Sequence, residues 1–568
     1  MNKIGTDIIS FSVLLIGAIV MLCSCHDDSY PVPSSETEGM RRNLVISLTV
    51  QQPGLQSPTS RAPFDTGYEL GFTEKECQIH TLTLIMMGVY NGEELFETWQ
   101  TIEPSEPTNG IYDVQFTLSG ITGTKHFYIL ANAEQKHINA FWAKDRIFDA
   151  GEGQSGHNIV GNLMEINHNE NGDGEGSNIL MAGIVKSNSG DRDIVIPTGD
   201  GNEDTDEKIT IDTSANLVRT VAKVLLTCVP SPENNDYVAV IDSKDNADNT
   251  TGNTGWIKLA EVNYMLNVLN RKTYLDYRED TKDDGYLIDP NYEMSNWIEK
   301  RTNDNETTYG IKDLDAYQKE FLFYDTQDMV EMLNTSIPTY KGGEPCMVRT
   351  ATLYDKNRIG KEYATSRDHY TEGLYCTENT VYKDMTFANE ADFQSAIRYV
   401  TTRVMVGAKY TPKVIWDGGD EPKTAQTEKE AQEILEVEDV DNPLEPVTYP
   451  AGTFWRDSEG NYYSRAGMKE KLKKSPETEF SRYDGGWGYY YTYIDENAPN
   501  GAISKDQTRW GIKRNHYYIL KVDKIIAPGS PFPGNETMRI HSELVDWVDK
   551  GDSEVEIKVP QQSETAQP

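Results

Sequence analysis

Two positions carry residue types whose setting could support covalent chemistry: the thiol of Cys25 and the basic side chain of Arg61. Cys25 ends the stretch Leu22-Cys23-Ser24-Cys25, which follows an apolar run from Ile8 to Leu22 behind Lys3. That run is short for a membrane span, which needs about 20 residues, and fits the apolar region of a secretory signal. Leu22 stands at the third position before Cys25 and a small Ser24 directly before it, the arrangement of a bacterial lipoprotein signal. It implies cleavage before Cys25, acylation of the thiol (a palmitate-type chain), and a protein held at a membrane with everything after Cys25 outside the cytoplasm. A plain secretory signal with incidental cysteines is the alternative.

Arg61 acquires meaning from the element before it. Asn43 to Val50 reads as a β-strand, with Leu44, Ile46, Leu48 and Val50 on one face and Ser47 and Thr49 on the other; Val45 is the exception. The stretch from Gln51 to Arg61 holds Pro53, Gly54, Ser57, Pro58 and Ser60, the composition of an exposed loop where proteases cut. Cleavage between Arg61 and Ala62 would separate a complete apolar strand from the rest of the chain. Cleavage at Arg41 or Arg42 would leave that strand attached.

Other chemistry finds little support. There is no GxSxG, no HExxH, no phosphate-binding loop and no Cys/His arrangement. Cys77, Cys228, Cys346 and Cys376 lack metal-ligand spacing; disulfides such as Cys346–Cys376 and buried free thiols both stay open. Asn167, Asn169 and Asn171 before Gly172 resemble a calcium loop, but Asn178 occupies the position that needs a bidentate glutamate, so an acidic surface loop is the better reading. No metal, cofactor or catalytic residue is expected. His516 beside Arg514 sits in a strand pattern and reads as packing. Trp487 and Tyr489 to Tyr491 offer either a sugar platform or a core strand, and the core strand is preferred. With 53 basic against 91 acidic residues the chain carries a net charge of −38, which argues against nucleic acid, whose phosphates require a basic face.

The 568 residues suffice for more than one domain. The body reads as short strands between turns: Ile79–Tyr90, Gly110–Leu118, Thr124–Asn132, Leu217–Thr227, Arg403–Tyr410, Gly488–Ile494 and His516–Ile526. Trp256–Leu269 is ambiguous between helix and strand. Helices are expected as minor insertions at Ala388–Ile397 and at Thr427–Leu435, the latter capped by Thr427. The strand spacing suggests β-sandwiches. A Pro/Gly-rich hinge, Pro528 to Gly534, precedes two strand-like segments, Met538–Trp547 and Glu554–Val559. In the second, Val555, Ile557 and Val559 alternate with Glu554, Glu556 and Lys558.

With the Cys25 signal, the Ser60-Arg61-Ala62 junction, Leu217–Val224, Ala408–Pro412, Arg514–Ile526 and Val545-Asp546-Trp547, the chain resembles the major fimbrial subunits (type V pilins, fimbrillins) of Bacteroidales, most of all the short-fimbria major subunits. His26-Asp27-Asp28 is similar to the surface-export signal of lipoproteins from that order. The resemblance implies a mainly β fold of two transthyretin-like (Ig-like) β-sandwich domains with loop and short helix insertions. It divides the chain into a signal peptide (1–24), a propeptide with a removable strand (25–61), an N-terminal sandwich (62–215), a C-terminal sandwich (216–530) and a donor-strand segment (531–568). It implies an outer-membrane lipoprotein precursor that becomes an extracellular, non-enzymatic fimbrial shaft subunit serving adhesion and biofilm. Its partners would be identical subunits head to tail, accessory fimbrial subunits, an arginine-specific protease, and the outer membrane through the lipid before processing. Leu44, Ile46, Leu48 and Val50 would be removed with their strand, and Ile540, Leu544, Val545, Trp547, Val555, Ile557 and Val559 would line the donor. A tip, accessory or anchor fimbrial protein and a surface glycan-binding lipoprotein are the alternatives.

Overall fold

The computed structural model describes residues 41–51, 78–108, 110–143, 146–149, 179–197, 208–242, 255–276, 278, 287–303, 306–334, 348–353, 373–436, 449–495, 502–533 and 541–546. The chain is mainly β, as its strand patterns imply. The first strand is β1 (Arg41–Gln51). It is followed by β2 (Leu82–Tyr90), β3 (Glu93–Ile102), β4 (Ile111–Ile121), β5 (Gly123–Ala131), β6 (Ile147–Asp149), β7 (Met181–Ser187), β8 (Ile194–Ile196), β9 (Lys208–Asn216), β10 (Val218–Arg219) and β11 (Val221–Cys228).

The first sheet runs β3-β2-β5-β7-β9-β1-β4, with β8 added to β5 and β10 to β7. The β2–β3 hairpin turns at Asn91-Gly92, both at positive φ (51° and 84°). An Asn-Gly pair meets that demand with little strain, and the resulting turn matches the strand twist. β4 continues into β5 through Thr122 without pairing with it, so consecutive strands here are not neighbours.

Beyond β10 the strands form a second group. One sheet orders Thr352–Leu353, β11, His516–Val522 and His541–Asp546, with Leu374–Thr377 also on β11. Another orders Val348–Thr350, Gly255–Asn267, Arg403–Pro412 and Trp487–Tyr493. Val224, Leu226 and Leu520 from the former share one core with Tyr264, Leu266, Val404 and Val406 from the latter. Trp256–Leu269, ambiguous in sequence, is strand over Gly255–Asn267: it pairs with Arg403–Pro412 on both sides of an irregularity between Ile257 and Val262, and Val262 to Asn267 are buried.

Two of the expected strands are interrupted. Leu217–Thr227 divides at Thr220: Val218 and Arg219 pair with β7, and Val221 onward enters the second group. His516–Ile526 divides as well, since Ile525–Ala527 leaves to pair with Val240–Asp242. The helix near 388 begins at Glu390 behind an Asn389 cap, and Thr427 caps Glu428–Leu435 by accepting from the Glu430 N–H at 3.2 Å. Helices Gln135–Trp142, Leu314–Glu320, Thr326–Leu333 and Arg465–Lys474 were not expected. Three of them carry a readable Asp or Ser cap, at Asp313, Asp325 and Ser464. Among the described residues no helix is long and apolar enough to cross a membrane.

The two groups are joined by more than the chain. β6 pairs with Lys272–Tyr274. Arg146 binds Glu94 of β3 and, at 3.0 Å, Asp276 of the second group; Glu94 also accepts from Arg192 at 2.9 Å and from Tyr128 at 3.0 Å. Arg514, 3% exposed, forms a buried ion pair with Glu378 at 3.0 Å and donates to Thr273. The Arg514–His516 segment is thus packing, as its strand pattern implied. Cys228 and Cys376 are buried free thiols, and burial pushes the Cys228 thiol up to about 12.

Asp289 is a buried carboxyl that accepts from the N–H groups of Asn291 (2.6 Å) and Thr380 (2.5 Å) and from the Thr380 hydroxyl (3.0 Å). Burial, reinforced by the charge of Glu378 and opposed by those hydrogen bonds, raises its pKa to about 7. A carboxyl whose folded pKa exceeds its unfolded value contributes stability that is complete below the unfolded pKa and is lost as pH rises toward 7. The stability gap between wild type and Asp289→Asn is therefore expected to be wider at pH 5 than at pH 8, by at most about 3 kcal/mol. Urea unfolding midpoints at the two pH values measure it.

Candidate functional site

The strand preceding the candidate cleavage point is a central strand. β1 lies between β4 and β9, antiparallel to the first and parallel to the second. Its ladder with β4 runs from Arg41 opposite Ile121 to Gln51 opposite Ile111. With β9 it runs from Asn43 beside Lys208 to Gln51 beside Asn216.

The period-two reading of this strand holds at every apolar position. Leu44, Ile46 and Val50 are 0% exposed and Leu48 is 2% exposed. Each sits between one residue of β4 and one of β9: Leu44 between Leu118 and Ile209, Ile46 between Phe116 and Ile211, Leu48 between Val114 and Thr213, Val50 between Tyr112 and Ala215. At one end Gly120 makes room. A Cβ there would stand 2.5 Å from the Met86 Cε and 3.2 Å from the Leu44 Cδ1. Val45 is half-buried rather than core, which resolves the one exception in the pattern.

The opposite face is polar. Thr49 donates to Asp113 Oδ1 at 2.9 Å on the exposed side. The Thr213 hydroxyl donates to the Ser47 carbonyl at 3.2 Å, and the Leu217 N–H to the Gln51 carbonyl at 3.1 Å. These two bonds reach only the backbone of β1, so they do not depend on its side chains.

β4 has no ladder partner besides β1 among the described strands. Its outer side meets β3 through the Gln100 side chain, which accepts from the Thr117 N–H at 2.6 Å. Burying four aliphatic side chains contributes about 6–12 kcal/mol, as much as the net stability of a typical domain. Loss of β1 would expose an apolar trough floored by Phe116, Leu118, Tyr112 and Ala215 and two rows of backbone donors and acceptors. Such a trough accepts one extended segment with alternating apolar residues.

The other candidate residues are dispersed. Leu544 and Val545 belong to the strand His541–Asp546, which pairs antiparallel with His516–Val522 at the border of its sheet. Cys25, Arg61, Ala62, Ile540, Trp547, Val555, Ile557 and Val559 lie outside the described residues, as do the calcium-like loop around Asn169 and the partner Cys346. Tyr489 and Tyr490 are 3% and 2% exposed, so the aromatic strand is core rather than a sugar platform. Among the described residues no group of His, Cys, Asp or Glu is arranged to hold a metal ion. What the sequence did not reveal is that β1 is inserted parallel to β9, a strand more than 150 residues downstream; no local signal encodes such a pairing.

Residues 481–567 match the family model for the C-terminal part of the major fimbrial subunit protein type IV, fimbrillin, which agrees with the resemblance carried by Arg514–Ile526 and Val545–Trp547. No curated protein matches the chain in sequence. Among solved structures, a fimbrilin (FimA) from Porphyromonas gingivalis is 13% identical, with 89% of this chain and 98% of that one covered and a TM-score of 0.37. A tip fimbrial protein from the same organism, C-terminally truncated, is 9% identical, with 89% and 100% covered and a TM-score of 0.31. Its fimbrial anchor protein is 12% identical, with 47% and 73% covered and a TM-score of 0.19.

The burial contrast along β1 gives a direct test. Ile46→Ala is expected to lower the unfolding free energy by about 2–4 kcal/mol, and Thr49→Ala, on the exposed face, by no more than about 0.5 kcal/mol. Denaturant titrations of the intact protein compare the two.

Proposed function

From the fimbrillin match over residues 481–567 we infer that this protein is a structural, non-enzymatic subunit of a cell-surface fimbria, and we propose that it polymerises as a shaft subunit by exchanging β1 for a strand from another copy. The observation that carries the reading is the placement of β1: a central strand, alone in holding β4 to its sheet among the described strands, and attached to the body through a segment containing Arg61.

In this reading the precursor is exported and acylated at Cys25, which tethers it to the outer membrane. An arginine-specific protease cuts between Arg61 and Ala62 and frees β1 with Leu44, Ile46, Leu48 and Val50. The groove between β4 and β9 then receives the C-terminal segment of a neighbour, Met538–Val559. Until the cut, β1 blocks the groove, so assembly waits for arrival outside the cell. Each copy has one groove and one tail, so contacts are head to tail and produce an open filament rather than a closed dimer. Accessory subunits would begin or end the filament, and uncut copies that keep Cys25 would root it. Adhesion and biofilm formation follow from display of the filament.

Two variants test it. Arg61→Ala is expected to accumulate as lipidated monomer with an intact N-terminal segment, read by intact mass and by the absence of an SDS-resistant ladder; normal fibres would move the cut elsewhere. Deletion of Met538–Pro568 is expected to leave folded monomers that are cut but form no ladder. Ladders persisting in that deletion would remove the C-terminal segment from the donor role.

A further inference from the structure

The groove between β4 and β9 is not electrostatically uniform along its solvent-facing side. Outward positions of β1 are flanked in turn by Ser119 and Lys208 at Asn43, by Thr117 and Thr210 at Val45, by Gln115 and Asp212 at Ser47, and by Asp113 and Ser214 at Thr49. Lys208, Asp212 and Asp113 are exposed. β1 places no charge at these positions and engages the pattern only where Thr49 donates to Asp113, so its own pairing does not use Lys208 or Asp212. A charged strand lying in the same groove would.

Resting on the strand-exchange reading above, we propose that the occupant is residues 554–559 of a second copy, in one register: Val555 at the Leu44 site, Ile557 at the Ile46 site and Val559 at the Leu48 site. In the direction β1 takes, Glu554 then stands beside Lys208 and Lys558 beside Asp212, while Glu556 lies between Thr117 and Thr210. Both ends of the charged face find an opposite charge, and no like charges meet. Ile557 repeats the side chain it replaces between Phe116 and Ile211.

The alternatives fit worse. A one-residue slip would turn Glu554, Glu556 and Lys558 into the core. A two-residue slip toward the Val50 end sets Glu556 beside Asp212, a like-charge pair, and leaves the Leu44 site, next to Met86 and Gly120, to Ser553. Its advantage is that Pro560 falls at the last position of the groove. In the proposed register Pro560 stands at the Thr49 position and forfeits a ladder bond toward β9. An emptied leucine site is the greater loss. A two-residue slip the other way puts Val555 opposite Gly120 and keeps one charge pair, Glu556 with Lys208, instead of two.

The test uses the purified protein after cleavage by an arginine-specific protease, with the rate of SDS-resistant ladder formation at low salt as readout. Lys208→Glu and Glu554→Lys are each expected to slow assembly about threefold, and the double variant to recover most of the loss. The pair Asp212→Lys with Lys558→Glu should behave the same way. Cysteine pairs supply a readout independent of small energies: Asp212→Cys with Lys558→Cys is expected to crosslink neighbouring copies, and Asp113→Cys with Lys558→Cys is not. Crosslinking through Asp113, or ladders in which no swapped pair recovers, overturns the register while strand exchange stands. Absence of ladders from the cleaved wild-type protein overturns the strand-exchange reading itself.

Discussion

Among the described strands β4 is held in its sheet by a single ladder neighbour, and that neighbour is β1. Everything about the first half of the molecule follows from this dependence. An ordinary edge strand can be lost with modest damage, because the sheet behind it remains paired. Here the strand in question is second from the edge, and its departure strips two ladders at once, one antiparallel and one parallel. The core beneath is continuous from Leu44 through Phe116 to Met86, so the same departure opens it to water. In the strand-exchange reading the groove would be filled in one of two ways: by its own strand, or by another strand in the same position. The empty condition exposes apolar surface and unpaired backbone together, and those are the two features that drive one chain to complete another.

The second half supplies rigidity. The ion cluster of Arg146, Glu94 and Asp276 and the pairing of β6 with Lys272–Tyr274 bind the two strand groups to each other. Arg219, from the last strand of the first sheet, meets Asn515 at the start of a strand of the second group at 3.2 Å. Buried ion pairs are a poor source of net stability, but their geometric demands fix one arrangement over others.

Much of this was legible in the sequence. The alternation at Leu44, Ile46, Leu48 and Val50 located β1 and its buried face, because period two is a local property of extended backbone. The Thr427 cap was legible for the same reason: capping is decided within four residues. The interruptions at Thr220 and after Val522 were not, since a strand that changes sheets keeps its apolar pattern while its partners change. Least legible was the choice of β9 as a parallel neighbour. A parallel pairing between residues 43–51 and 208–216 depends on the whole intervening chain, and nothing within either strand specifies it.

Charge explains why such a design need not aggregate. Cleavage after Arg61 would remove four basic residues (Lys3, Arg41, Arg42, Arg61) and five acidic ones (Asp7, Asp27, Asp28, Glu36, Glu38), leaving 49 against 86 and a net charge of −37. Copies at that charge repel each other over roughly the Debye length of 8 Å at physiological salt, so casual contact between apolar patches is disfavoured. A strand that inserts between β4 and β9 gains main-chain bonds on both sides and buries three or four aliphatic side chains, which is short-range and directional. Repulsion acting at a distance and pairing acting only in register leave the aligned contact as the favoured one. In the proposed assembly each copy would use its groove once and its tail once, so filling one would leave the other available and the contact would repeat without closing.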